Sequence, residues 1–329
     1  MKKNVLITCL AVFSVVCIFS TNVLAMNLRM LSAFHPNFIF NIGATNNMIK
    51  NLEEMSGGKV KISFHGPDVV STFEQLQPVQ SGIFDLSFTH ATYHAGSISI
   101  GVGMDATIAD PEKRREVGLF DLLDKEYNKI GIKLVSLPVV APYHFVTRQP
   151  LSGKTPSLAG LKMRSNPSLQ NTIIALGGTP VTMAGGEVYT SLQRGVIDGA
   201  AWTQVGVKDF KWNEVAKYLV SPNFGSISMM IIMNLKKYDS LTPEQKSWID
   251  EAGKKTELDS LAFFNNLIEE EIAYLLGEGG MTLTHLSPED VANVEKYWND
   301  GLWEMGKQSS NAQAVDAMRK LAVDSGMTR

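Results

Sequence analysis

Residues 158–199 read LAGLKMRSNPSLQNTIIALGGTPVTMAGGEVYTSLQRGVIDG. Leu161 and Met163, flanked by Gly160 and Ser165, make a short apolar run that ends in polar residues. This predicts a strand with Arg164 at its C-terminal edge, where open α/β sheets place their ligands. Pro180-Val181-Thr182-Met183 predicts a second short strand, Gly185-Gly186 a turn, and Glu187 to Arg194 a helix closed by Gly195. Val196-Ile197 predicts a further strand.

The stretch ends on a frame, E-x5-Q-x-G-x2-D, formed by Glu187, Gln193, Gly195 and Asp198. The same frame occurs earlier at Glu74, Gln80, Gly82 and Asp85. Each copy reads as a helix closed by glycine and followed by an apolar strand. Chance recurrence of a common helix-to-strand turn is one explanation, and two lobes built from related βα units is the other.

A chain of 329 residues, 44% of them hydrophobic, can bury a large core, and its length favours two domains of mixed α/β class. Lys2-Lys3, the apolar run from Val5 to Phe19 and Val23-Leu24-Ala25 have the order of a secretory leader cleaved after Ala25. A retained anchor is the alternative, but Thr8, Cys9 and Ser14 interrupt the run, which is short for crossing a bilayer. Both cysteines, Cys9 and Cys17, fall inside this leader, so the mature chain would carry no thiol for a disulfide, a metal or a nucleophile. Without Lys2 and Lys3 there remain 28 basic and 33 acidic residues, a net charge of −5. No basic cluster tracks a phosphate backbone, which excludes nucleic acid as the partner.

Leu28 to Leu31 predicts a strand with an aromatic loop, Phe34 to Phe38, at its end; Asn41 to Met55 predicts a helix, and Val60 to Phe64 a half-buried strand. Phe84 to Phe88 leads into a polar aromatic loop containing His90, Tyr93 and His94. Residues 112–130 predict one amphipathic helix, Ile132 to Val135 a strand, and Pro138 to Thr147 a crossing to a second lobe. The chain returns through Pro222-Asn223-Phe224-Gly225 into Met229 to Met233, so at least two crossings would form a defined hinge. Thr242-Pro243-Glu244 starts a helix whose apolar spacing runs to Gly277, about 50 Å if unbroken, with Gly253 as a possible kink. Residues 287–325 add amphipathic helices.

Leu161 to Arg164, Gly177 to Met183, Glu187-Val188-Tyr189 and Leu192 to Gly199 together resemble the central signature of the DctP-like periplasmic solute-binding proteins of tripartite ATP-independent periplasmic (TRAP) transporters. His35-Pro36, Ser56 to Val60, Leu241 to Gln245 and the long helix extend the resemblance over nearly the whole mature chain. It implies a two-lobed α/β binding protein with a long helix spanning both lobes. Lobe I would comprise residues 26–146 plus about 225–262, and lobe II 147–224 plus about 263–329. It further implies a periplasmic monomer that captures a small organic acid and hands it to membrane permease subunits, without catalysis or cofactor.

In that family the arginine matching Arg164 pairs with the ligand carboxylate, as a planar guanidinium can do bidentately. An internal ion pair is the alternative for Arg164. The resemblance also carries departures. Trp202 stands where an asparagine often contacts the ligand, His144 where sialic-acid binders have a second arginine, His90 in place of a glutamate, and Gly185-Gly186 in place of an aromatic and a serine. These favour an acid with an apolar or aromatic body, although Trp202 could simply fill the core. The candidate ligand-binding set is Arg164, His144, Trp202, His90, Asn166, Phe34, Tyr93 and Asn223. Two other classes compete. His90 and His94 at i, i+4, with His35 and His144, could bind zinc. A hydrolase lacks support, since there is no G-x-S-x-G, no H-E-x-x-H and no mature thiol.

Overall fold

The computed structural model describes residues 25–151 and 157–328. The leader, with Cys9 and Cys17, lies outside the described residues except for Ala25. In chain order the first half contains β1 (Met26–Ser32), α1 (Asn46–Met55), β2 (Val60–His65), α2 (Leu76–Gln80), β3 (Leu86–His90), α3 (Pro111–Glu116), α4 (Leu119–Asn128) and β4 (Ile132–Ser136). Next come β5 (Tyr143–Thr147), β6 (Lys162–Ser165), α5 (Gln170–Ala175), β7 (Thr179–Thr182), α6 (Val188–Gln193), β8 (Gly199–Thr203) and β9 (Tyr218–Phe224). The chain then forms β10 (Met229–Asn234), α7 (Leu235–Asp239), α8 (Pro243–Leu276), β11 (Thr282–His285), α9 (Pro288–Gly306) and α10 (Ala312–Asp324).

Among the described residues the strands build two mixed sheets, ordered β2-β1-β3-β10-β4 and β11-β9-β5-β8-β6-β7. The repeated sequence frame has the same structural meaning in both. Asp85 donates its amide to the Arg29 carbonyl and accepts the Arg29 amide on its carboxylate, and Asp198 makes the same two bonds with Lys162. The next residues continue the match, Met30 pairing with Leu86 and Met163 with Gly199 in parallel ladders. Gly82 and Gly195 precede these clasps at φ of +77° and +71°, the left-handed turn that closes each helix. β2-β1-β3 and β7-β6-β8 are therefore corresponding units, and Arg164 occupies the place of Leu31.

The lobes meet at two antiparallel crossings. Val140 donates to Ile227 and Ile227 to Ala141, at 3.1 and 3.0 Å. Buried charges pin both. Asp105 takes the Ser228 amide at 2.7 Å, while Glu257 of α8 takes the Leu137 amide at 2.7 Å and a two-point contact from Arg115. A hinge made of two tethered segments restricts the lobes to a defined closing motion.

Several local expectations change. Val196-Ile197 is a turn, because the Asp198 clasp delays the strand to Gly199. The single helix expected over 112–130 is broken into α3 and α4 at Gly118, whose φ is +84°. The crossing ends before Tyr143, since β5 already belongs to the second sheet, and β11 was not anticipated at all. α8 continues through Gly253 without a break, and the glycine lets the helix lie against β4, where a Cβ would meet the Val135 carbonyl oxygen. α8 runs unbroken for 34 residues, packing on α1 and β4 at its start and reaching the second lobe with Glu271.

Candidate functional site

Arg164 sits one residue before the C-terminal end of β6, with 1% of its surface exposed. Its Nε donates to the Met183 carbonyl and Nη1 to the Ala201 carbonyl, both at 3.0 Å, so the guanidinium is fixed by main chain from two neighbouring segments. Its Cζ lies over the Trp202 ring, 4.6 Å from the centroid. Nη2 has no partner among the described residues, and no carboxylate forms an ion pair with this side chain. Burial lowers the arginine's proton affinity, opposed by the fields of Tyr93, Tyr143 and Glu187. A buried cation lacking a counter-charge is costly, and a partly open donor fork is what a carboxylate completes.

The space around it is small and rich in donors. Phe40, Tyr93, Tyr143, Arg164, Asn166, Trp202, Thr203 and Ile227 enclose about 10 Å³, on the order of one water. The Trp202 indole nitrogen also lacks a partner, and the Tyr143 hydroxyl, beside the Asn166 side chain, keeps its proton free to donate. Burial raises both tyrosines, Tyr93 to about 12 and Tyr143 well above its ordinary 10, so at neutral pH each keeps its proton to donate. The Asn166 carbonyl oxygen caps the following turn, bonded to the Leu169 amide and the Ser168 hydroxyl.

Tyr93 also borders a larger cleft of about 570 Å³ between the lobes. One wall is Phe34, His35, Asn37 and Phe38, and the facing wall is Ala184 to Glu187 with Asp209 and Phe210. Aromatic rings close the floor. Phe38 stacks on Phe210 across the lobes at 4.5 Å, and Phe40 stacks on Trp202 at 6.1 Å. Glu271 holds the loop that carries Asp209 and Phe210 by accepting the Gly206 and Lys208 amides; burial raises its carboxyl to about 6. Gly185 is tied to the tryptophan, since a Cβ there would lie 2.8 Å from Trp202 and 3.0 Å from Phe210. Trp202 thus fills volume that the glycine vacates.

Of the eight residues singled out in the sequence, Arg164, Asn166, Trp202 and Tyr93 converge on the inner cavity, and Phe34 lines the outer cleft with Tyr93. Three do not join them. His144 is the cross-strand partner of Trp202 but is buried away from the lining, with neither ring nitrogen partnered, and burial lowers its pKa to about 3. His90 is bound on both nitrogens, by Thr92 at 2.6 Å and Asp105 at 2.8 Å, and so supports the hinge. Asn223 is exposed and donates to Gln204. The zinc reading gains no support. His94 bonds the Tyr127 hydroxyl, His35 lies beside Asp68, and no three metal-binding side chains gather among the described residues. Sequence reasoning missed Phe40, Tyr143, Glu187, Asp209 and Phe210; only the density of aromatics in residues 34–40 hinted at any of them.

Residues 33–308 match the family described as bacterial extracellular solute-binding protein, family 7. The C4-dicarboxylate-binding periplasmic protein of Rhodobacter capsulatus is 33% identical over 34% of this chain and 33% of its own. The monocarboxylate 2-oxoacid-binding periplasmic protein of Nostoc is 25% identical over 82% of this chain and 76% of its own. The chain spans between 28% and 40% of the length of three curated relatives that it matches at 32% to 35% identity. The fold agrees with that of a TRAP periplasmic solute-binding protein from Desulfovibrio desulfuricans crystallised with sn-glycerol-3-phosphate, at a TM-score of 0.80 and 19% identity over 92% of this chain and 98% of that one. No described helix is long and apolar enough to cross a membrane. With the match covering every strand but β1, the hinge and the whole of α8, this chain belongs to the DctP family of TRAP solute-binding proteins.

Proposed function

We propose that the mature protein is a periplasmic monomer that closes its two lobes over one small organic acid, without chemical turnover, and delivers it to the permease of a TRAP transporter. The observation that carries this reading is Arg164 Nη2, buried and unpartnered in the wall of a small cavity, on a guanidinium whose other nitrogens are held by main chain. A ligand carboxylate would supply the missing charge and also accept from Tyr143. Asn166, Trp202, Tyr93 and Phe34 would contact the ligand, whose body the aromatic walls suit better than a polyhydroxylated one. The alignment with acid-binding relatives from Rhodobacter and Nostoc supports the same class.

The test is a thermal-shift screen of mono- and dicarboxylates against wild type and Arg164→Ala. A ligand that binds only the folded state raises the melting temperature by mass action, and the arginine variant should lose that response. Failure of every acid to shift the wild type would overturn the reading, as would turnover of a bound acid.

A further inference from the structure

We propose that the ligand is a zwitterion, a monocarboxylate whose far end carries a positive charge held in the outer cleft. The proposal rests on the reading of Arg164 as the carboxylate partner. The outer cleft is lined by the faces and edges of Phe34, Phe38, Tyr93 and Phe210, and the charges on its wall are the carboxylates of Glu187 and Asp209. No lysine or arginine lines it. Lys208, next to Asp209, turns its ammonium over the Tyr274 ring at 4.2 Å, and His35 is exposed beside Asp68.

Each acid uses one oxygen on a backbone amide, Glu187 on Ala184 and Asp209 on Ile39, and neither forms an ion pair among the described residues. Desolvation raises the Asp209 carboxyl, against the Ile39 amide and the field of Lys208, which both lower it. A second ligand carboxylate would meet two negative groups with no cation to receive it. A ligand cation would meet two carboxylates and several aromatic faces, the combination that attracts alkylated ammonium groups. Gly186 leaves the room, because a Cβ at that position meets nothing within 4 Å.

The experiment is calorimetric titration with three acids of similar length. These are 4-(trimethylammonio)butanoate, its uncharged isostere 5,5-dimethylhexanoate, and the dicarboxylate adipate. The cationic probe should bind about tenfold or more tighter than the isostere, with adipate weakest. Glu187→Gln and Asp209→Asn each keep an oxygen for the backbone amide, so the double variant should bring the ratio of the first two dissociation constants to within about threefold of one. Equal binding of cation and isostere, or tightest binding of adipate, overturns the proposal; if that binding still requires Arg164, the carboxylate reading stands. Absence of binding by all three overturns both.

Discussion

The Asp209 carboxylate in the second lobe accepts a hydrogen bond from the Ile39 amide in the first, at 3.1 Å. Ile39 opens the helical run that continues into α1, so one of its otherwise orphaned amides is capped from the opposite lobe. Opening the cleft would break this bond together with the stacking of Phe38 on Phe210. Asp209→Ala should therefore cost about 0.5–2 kcal/mol of closure and weaken an uncharged-tailed acid by about 2- to 30-fold. Asp209→Asn, which keeps an acceptor, should cost that acid less. Calorimetry on the two variants checks this, and small-angle scattering should show a more open average shape for the alanine variant.

Arg164 provides a second measurement with opposite outcomes for a structural and a binding role. Losing a desolvated charge partner costs about 2–5 kcal/mol, so Arg164→Ala should weaken ligand binding by tens to thousands of fold. Stability without ligand should fall much less, because the native guanidinium is itself buried uncompensated. Arg164→Lys should bind poorly as well, since one ammonium cannot reach Met183, Ala201 and the ligand together. A lysine variant that binds like wild type would show that the bidentate fork is not used.

Stability should decline below neutrality. Burial depresses the folded-state pKa of both His94 and His144 to about 3, with the field of His90 adding to the effect on His94. Their stabilisation is complete above the unfolded value near 6.5 and is lost as pH falls from there toward 3. At pH 5 each would have lost about 2 kcal/mol. Glu271, raised to about 6, acts in the other sense and returns about 1 kcal/mol as it binds its proton ahead of the unfolded chain. Thermal melts at pH 7 and 5 should differ accordingly. His144→Leu, which removes two unpartnered buried nitrogens, should raise stability at pH 7 and flatten the slope. A steeper slope in that variant would contradict the assignment.

Gly185 and Trp202 should behave as a coupled pair. Gly185→Val places a branched side chain where even a Cβ lies 2.8 Å from the indole, and should cost about 1–3 kcal/mol. The same change in a Trp202→Ala background should cost less, because the clashing ring is gone. Additive losses in a double-mutant cycle followed by denaturant unfolding would mean the two do not share this space.

What could be read from sequence was what depends on neighbours in the chain. The glycine that closes each helix and the threonine cap of α8 are short-range patterns, and Arg164 at a strand end followed from the apolar run before it; the Asp85 and Asp198 clasps, to residues 56 and 36 positions away, showed only as a recurring frame. The interlobe wall was not legible, because Ile39 and Asp209 are separated by 170 residues and meet only when both sheets are in place. The histidines misled for a related reason. The i, i+4 spacing of His90 and His94 would make a metal pair on an α-helix, but β3 ends at His90 and a 3-10 turn follows. Their partners, Asp105 and Tyr127, were set by packing that spacing cannot encode.

The correspondence between β1 and β6 places Leu31 and Arg164 at equivalent points of two similar units, so only one jaw carries the grip. A carboxylate bound to Arg164 would stay on that jaw when the hinge relaxes, while the other withdraws its aromatic face like a lid. On the proposed reading, release would follow an order: the cover would part first, and the acid would leave last from the side that first captured it.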